Sequence, residues 1–197
     1  MGSEMCIRDS LCHDAEMPAV IYNVFRKLDF GKFTIHINNR KVLNGFFESL
    51  GLENQIADIL RNIDKIDKIG RDNVVAELKE LGIADESIDK IIDFIAISGS
   101  NSEKIAVLKA MNIDNEKFTE GVNELSVVSD YMRDFGIEED YFTIDLTIET
   151  ALDYYTGTVY ETTLDDYRGL GSVCSGGRYD NLTAVSYTHL TLPTIRL

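Results

Sequence analysis

From residue 141 to residue 148 the chain keeps a two-residue hydrophobic period, and this limits the fold more than any other feature. Phe142, Ile144, Leu146 and Ile148 fall on one side; Tyr141, Thr143, Asp145 and Thr147 fall on the other. Such alternation predicts a half-buried strand over 141–148. Residues 154–163, rich in Thr, Tyr and Val, predict a second strand. Along it Tyr154, Thr156, Thr158 and Tyr160 share one face, and Tyr155, Gly157 and Val159 the other. A third strand is expected over 32–38, where Phe33, Ile35 and Ile37 alternate.

Most of the remainder has a helical period. A helix is expected over 13–28, capped by Asp14, with Pro18 in its first turn. Val20, Ile21, Val24, Phe25 and Leu28 make its apolar face, and Gly31 ends it. Residues 40–50 form another, with Val42, Leu43, Phe46, Phe47 and Leu50 inward and Gly51 closing it. Residues 52–136 read as a run of helices broken at Gly70, Gly82, Gly99 and Gly136. Their stripes are Ile56/Ile59/Leu60/Ile63, Val74/Val75/Leu78/Leu81, Ile88/Ile91/Ile92/Ile95 and Phe118/Val122/Leu125/Met132, all read as helix core. Ser100 with Glu103 predicts a capping box.

Two segments stand out chemically. In Tyr154-Tyr155-Thr156-Gly157, the glycine leaves a gap that a ligand or another backbone can approach, and tyrosines bring apolar walls with polar tips. In Ser175-Gly176-Gly177-Arg178-Tyr179-Asp180, paired glycines let backbone N–H groups come close to an anionic or ribose-bearing ligand. Arg178 suits a phosphate or carboxylate, or the neighbouring Asp180. Each segment alone also fits a plain Tyr/Thr-rich strand and a plain surface turn.

Together, LDYYTGTVYE at 152–161 and SGGRYDNL at 175–182 resemble the paired histidine signatures of histidyl-tRNA synthetase, a class II aminoacyl-tRNA synthetase. FTIHINNRKVLNG at 33–45 is similar to a further stretch of that family, so the resemblance covers residues 14–182. It implies an α+β fold: a partial class II synthetase-type antiparallel sheet with flanking helices and a helical insertion. It implies core segments at 11–51 and 137–184, the second with the histidine signatures, around an insertion at 52–136. Tyr154, Tyr155, Thr156 and Gly157 would then bind histidine, supported by a turn of Ser175, Gly176, Gly177, Arg178 and Asp180. The substrates would be histidine, ATP with Mg²⁺ and tRNA(His), in a homodimer when complete. The family carries Arg-Gly before Leu-Asp-Tyr-Tyr, where this chain has Thr150-Ala151. Thr lacks the cationic fork, and losing such a contact costs roughly 2.7–4 kcal/mol in the transition state. With that Arg and the family's ATP-binding motifs unmatched, the chain alone is not expected to activate histidine. Thr150 gives weight to a second family, the synthetase-like regulatory subunit of ATP phosphoribosyltransferase, and a ligand-free helical interaction module is a third reading.

Composition narrows the partners. The net charge of −15 lacks the basic footprint of a free-standing nucleic-acid binder, so any tRNA contact is local. Arg61, Lys65, Lys68 and Arg71 lie among Asp64, Asp67 and Asp72 and read as a solvated face. Cys6, Cys12 and Cys174, with His13, His36 and His189, have no metal-ligand spacing, which fits a cytoplasmic protein without a structural metal. No apolar run approaches the roughly 18 residues of a membrane span. Residues 1–10 lack the apolar core of a secretory signal and, with 185–197, read as extensions foreign to the fold.

Overall fold

A computed structural model of the protein describes residues 10–63, 70–148 and 155–180. Seven α-helices are found among them: α1 (Leu11–Leu28), α2 (Arg40–Ser49), α3 (Ile56–Ile63), α4 (Arg71–Glu80), α5 (Asp85–Ile95), α6 (Asn101–Ala110) and α7 (Glu116–Asp134). Four strands, β1 (Phe33–Asn39), β2 (Phe142–Ile144), β3 (Thr158–Leu164) and β4 (Ser172–Gly177), form one sheet in the order β2-β1-β3-β4. The α+β class is as expected, but the sheet is mixed. β1 pairs antiparallel with β3, and β3 with β4, while β2 enters parallel to β1 with Ile35 beside Phe142.

β1 buries Phe33, Ile35 and Ile37 completely, and α2 buries Val42, Leu43, Phe46 and Phe47 against them. Both follow directly from their hydrophobic periods. The breaks at Gly70, Gly82, Gly99 and Gly136 all have positive φ, as does Gly51 after α2. Ser100 and Glu103 make the reciprocal capping box of α6.

Three expectations need correction. Ser10, not Asp14, caps α1, its hydroxyl accepting from the Cys12 N–H; Asp14 is buried inside the helix, and Pro18 sits beyond the first turn. The face of α1 turned to the core is Ala15, Pro18, Ala19 and Tyr22, with Ile21 and Phe25 of the expected stripe packed partly buried beside it, whereas Val20, Val24 and Leu28 are 50%, 44% and 57% exposed. α1 packs mainly against α7 and less against β1, and the small residues at 15 and 19 permit a close approach. The strand expected over 141–148 stops at Ile144. Asp145 accepts hydrogen bonds from both the N–H and the hydroxyl of Thr147, and this side-chain turn diverts the backbone.

The outer edge of β2 is closed by a side chain. Asn101, buried at the start of α6, donates to the Phe142 carbonyl at 3.2 Å and accepts from the Ile144 N–H at 2.7 Å. Its amide thereby stands in for a neighbouring strand. α7 packs across α2 at backbone distance, with Gly45 facing Phe118 and Gly121 facing Lys41 and Val42. Near this crossing Glu48 of α2 accepts from Asn115 and Lys117. The charged stretch 64–69 lies outside the described residues, and no described helix is long and apolar enough to cross a membrane.

Candidate functional site

The two Gly-containing segments meet at one end of the sheet. Residues 155–157 precede β3 as an irregular loop; the expected strand begins only at Thr158 because these backbone groups bond elsewhere. The Gly157 carbonyl accepts from the Arg40 N–H at 2.9 Å, and the Thr156 N–H donates to the Arg178 carbonyl at 2.9 Å. The Arg178 N–H donates to the Thr158 carbonyl at 2.8 Å. The loop is thus held between the first residue of α2 and the end of β4. Ser175, Gly176 and Gly177 belong to β4 and not to a turn.

Side chains occupy the space the glycines leave. A Cβ on Gly157 would stand 2.9 Å from Arg178 Cδ, one on Gly176 2.8 Å from the Tyr160 ring, and one on Gly177 2.8 Å from the Tyr155 ring. The gap expected over Gly157 therefore receives Arg178, and the paired glycines seat tyrosine rings. Tyr160 is buried and its hydroxyl is pushed up to about 12 by desolvation, with the charge of Asp14 adding to the rise. It stays a neutral phenol across the working range.

Arg178 makes a web of bonds that ties the segments to α1. Its Nε donates to Asp180 at 2.6 Å and its Nη1 to Asp14 at 3.0 Å. Asp14 also accepts from the Thr158 hydroxyl at 2.8 Å, and Asp180 from the Thr156 hydroxyl at 2.7 Å. Burial opposes both charges. For Arg178 the hydrogen bond to Asp180 and the charge of Asp14 outweigh it and raise its pKa. For Asp14 burial prevails over its bonds to Thr158 and Arg178, with Glu124 adding to the rise. Asp180 is lowered: burial resists, but its bonds to Thr156 and Arg178 win.

Beside this web, the α2 N-cap carries a second one. Asn39 is fully buried; its side-chain oxygen accepts from the Lys41 N–H at 2.9 Å, and its Nδ2 donates to Glu124 Oε2 of α7 at 2.8 Å. Lys41 Nζ bonds Glu124 at 2.7 Å and Glu120 at 2.8 Å. Of the residues singled out in the sequence, Tyr155, Thr156, Gly157, Gly177, Arg178 and Asp180 converge here; Ser175 and Gly176 lie farther along β4. Tyr154 and Thr150 lie outside the described residues. Asp14 and Glu124 carry no local pattern that marks them as site residues, and Asn39 carries only that of the α2 cap; their site partners are 164, 83 and 85 residues away in the chain.

Along β1 a separate pair fixes β2. His36 Nδ1 lies 2.9 Å from Asp145 Oδ2 and Nε2 lies 3.1 Å from the Thr163 hydroxyl. Burial opposes ionisation of Asp145, but hydrogen bonds from His36 and Thr147 hold its carboxyl at about 2. A depressed carboxylate contributes stability above its unfolded value of 3.8, lost as pH falls from there to about 2. That shift is worth about 2 kcal/mol. Urea midpoints at pH 5 and pH 3 should therefore fall further for the wild type than for Asp145→Asn; equal falls would refute the assignment.

Comparison with known proteins places this arrangement. The sequence model of the family described as histidyl-tRNA synthetase matches residues 1–189. The histidine–tRNA ligase of Clostridium tetani (strain Massachusetts / E88) is 55% identical over 186 residues, covering 94% of this chain and 42% of that protein. The crystal structure of histidyl-tRNA synthetase from Nostoc sp. PCC 7120 superimposes with a TM-score of 0.82 at 48% identity, over 86% of this chain and 40% of that one. A structure described as an ATP phosphoribosyltransferase regulatory subunit/histidyl-tRNA synthetase from Bacillus halodurans C shares the fold at 22% identity and a TM-score of 0.73, over 89% of this chain and 45% of that one. The chain spans 42% of the length of its Clostridium tetani relative. With residues 1–189 of this chain matched by the family's sequence model and the two Gly-containing segments joined at one end of the sheet, the chain belongs to the histidyl-tRNA synthetase family.

Proposed function

We propose that the protein carrying this chain is a histidine–tRNA ligase. It joins histidine to ATP as histidyl-adenylate with release of pyrophosphate, then passes the histidyl group to tRNA(His). The observation that carries this reading is the joining of residues 155–157 to residues 177–180 through Arg178, within a chain 55% identical to a histidine–tRNA ligase. Tyr155, Thr156 and Gly157, with Tyr154, are the histidine loop; Ser175, Gly176, Gly177, Arg178 and Asp180 support it. Mg²⁺ enters with ATP as substrate. Catalysis is positioning and charge stabilisation of an in-line displacement at the α-phosphate. The division into core segments 11–51 and 137–184 around insertion 52–136, a homodimer and a cytoplasmic location belong to the same proposal.

The chain grafted in place of the matching region of the Clostridium tetani relative tests this. With Thr150 kept, aminoacylation should be weak, and Thr150→Arg should raise kcat about 10²–10³-fold. No aminoacylation of tRNA(His) by the Thr150→Arg graft would overturn the proposal. In that graft Gly177→Ala should raise KM for histidine at least about tenfold, because its Cβ displaces the Tyr155 ring. Thr150 favours a second reading, the regulatory subunit of ATP phosphoribosyltransferase. Histidine binding without aminoacylation, even after Thr150→Arg, is the result that reading requires. The 197-residue chain alone should give no histidine-dependent ATP–pyrophosphate exchange.

A further inference from the structure

We propose that Glu124 is a positioning residue through which helix α7 sets the 155–157 loop. This rests on the reading of that loop as the histidine site. Glu124 stands in the middle of the 19-residue α7, which closes the 52–136 helical segment, yet its carboxylate points into the sheet end and is only 17% exposed. Its two oxygens take different partners, Oε2 the Asn39 amide at 2.8 Å and Oε1 the Lys41 ammonium at 2.7 Å. A buried carboxylate held on both oxygens has one geometry, because any other leaves it or its donors unsatisfied.

What Glu124 holds is the hinge between β1 and α2. Asn39 is the last residue of β1, pairs with Thr158 in the sheet, and caps α2 through the Lys41 N–H. The next residue, Arg40, donates its N–H to the Gly157 carbonyl at 2.9 Å. In a free helix start that N–H faces water; here it is aimed at the loop by the cap. The path runs Glu124, Asn39, Arg40 N–H, Gly157, and each step is a hydrogen bond or a peptide bond. Gly157 lies in turn under Arg178, whose carbonyl receives the Thr156 N–H. A shift of α7 along α2 must therefore reach the loop, and the loop's seating must depend on α7 being docked. Glu120 provides the contrast: it shares Lys41 but does not touch Asn39, and its side chain is 54% exposed.

Amide hydrogen exchange on the 197-residue chain reads the first half of the path directly. Glu124→Ala should speed exchange at the Arg40 and Thr156 amides at least about tenfold, while Ile35 and Ile37 in the middle of β1 stay within about twofold. Glu124→Gln keeps an acceptor for Asn39 and should restore near-wild-type exchange, as should Glu120→Gln. Should Glu124→Ala fail to fold, Asn39→Ser keeps a cap for α2, removes the donor to Glu124 and should loosen the same two amides. Unchanged exchange at Arg40 in Glu124→Ala or Asn39→Ser would overturn the proposal. So would uniform loosening of β1, or an equal effect from Glu120→Gln, since either makes Glu124 structural only. In the Thr150→Arg graft, Glu124→Ala should raise KM for histidine about tenfold with kcat changed less. A graft without histidine activity would remove the functional reading, while the exchange data would still decide whether α7 sets the loop.

Discussion

Gly121→Ala is expected to cost the protein about 3 kcal/mol or more, and Gly45→Ala at least as much. The usual effect of Gly→Ala within a helix is the opposite, a gain of about 0.4–1 kcal/mol from a less flexible unfolded chain. The sign reverses here because of what a methyl group would meet. On Gly121 it would stand 2.6 Å from the Val42 nitrogen and 2.9 Å from the Lys41 carbonyl carbon; on Gly45 it would stand 2.4 Å from the Phe118 nitrogen. These are backbone atoms of the opposing helix, so relief requires the two helices to move apart. Moving them apart opens the core that Val42, Leu125 and Phe118 fill. Domains of this size have about 5–15 kcal/mol in all, so the loss should be plain as a lower urea midpoint with little change in slope. A neutral or stabilising Gly121→Ala would mean that α2 and α7 do not cross at backbone distance.

Arg178→Ala should cost about 3–5 kcal/mol, the range for removing one partner of a buried ion pair. Its side chain is 19% exposed and that of Asp14 8%. Without the guanidinium, Asp14 keeps the Thr158 hydroxyl but loses its neutralising cation inside the fold. The sign with pH follows. The folded pKa of Asp14 is already above the unfolded 3.8, because burial penalises its charge. Stability linked to such a group is fully present below 3.8 and is lost as pH rises through the raised folded value. Arg178 limits that loss, so the deficit of Arg178→Ala should grow as pH rises from 5 to 8. Adding Asn at position 14 should flatten the trend and recover part of the loss, because no buried charge remains. A deficit independent of pH, or a double variant worse than the sum of the singles, would contradict this account.

How much of this was legible depended on the distance over which each feature is decided. β1 and α2 could be read because period and capping are local: Phe33, Ile35 and Ile37 alternate, and Gly51 follows α2 with positive φ. The capping box at Ser100 lies within four residues and was equally plain. The two segments of the candidate site were visible as Gly-rich signatures, and their meeting was expected only through the family resemblance. What escaped was decided by distant partners. The burial of α1 turned on which face its neighbours, chiefly α7, cover, and that face holds Ala15 and Ala19 rather than the larger Val20, Val24 and Leu28. Asp14 has the chemistry of a cap, and only the approach of Thr158 and Arg178 makes it a buried tether. β2 alternates for longer than it pairs, because a local Asp145–Thr147 turn outweighs the hydrophobic period.

The bonds from Asn115 and Lys117 to Glu48 have a consequence for how such a chain changes over time. The chain departs at the end of α2 and begins α7 beside the same carboxylate. The two ends of the intervening segment are therefore fixed side by side and need not move when its length changes, while α6 within it is tied separately to β2 through Asn101 and Lys104. Lengthening a segment whose ends are already together is cheap, about 0.6 kcal/mol for each doubling. The stretch from 51 to 100, which precedes α6, is in this sense tolerant of changes in length. We expect lineages to trade, enlarge or shorten it while Glu48, Asn115 and the glycine crossing stay as the socket. Inserting a short Gly-Ser stretch after Gly82, in the turn between α4 and α5, should leave β1, α2 and α7 assembled, a result that circular dichroism and the exchange rate at Arg40 would report.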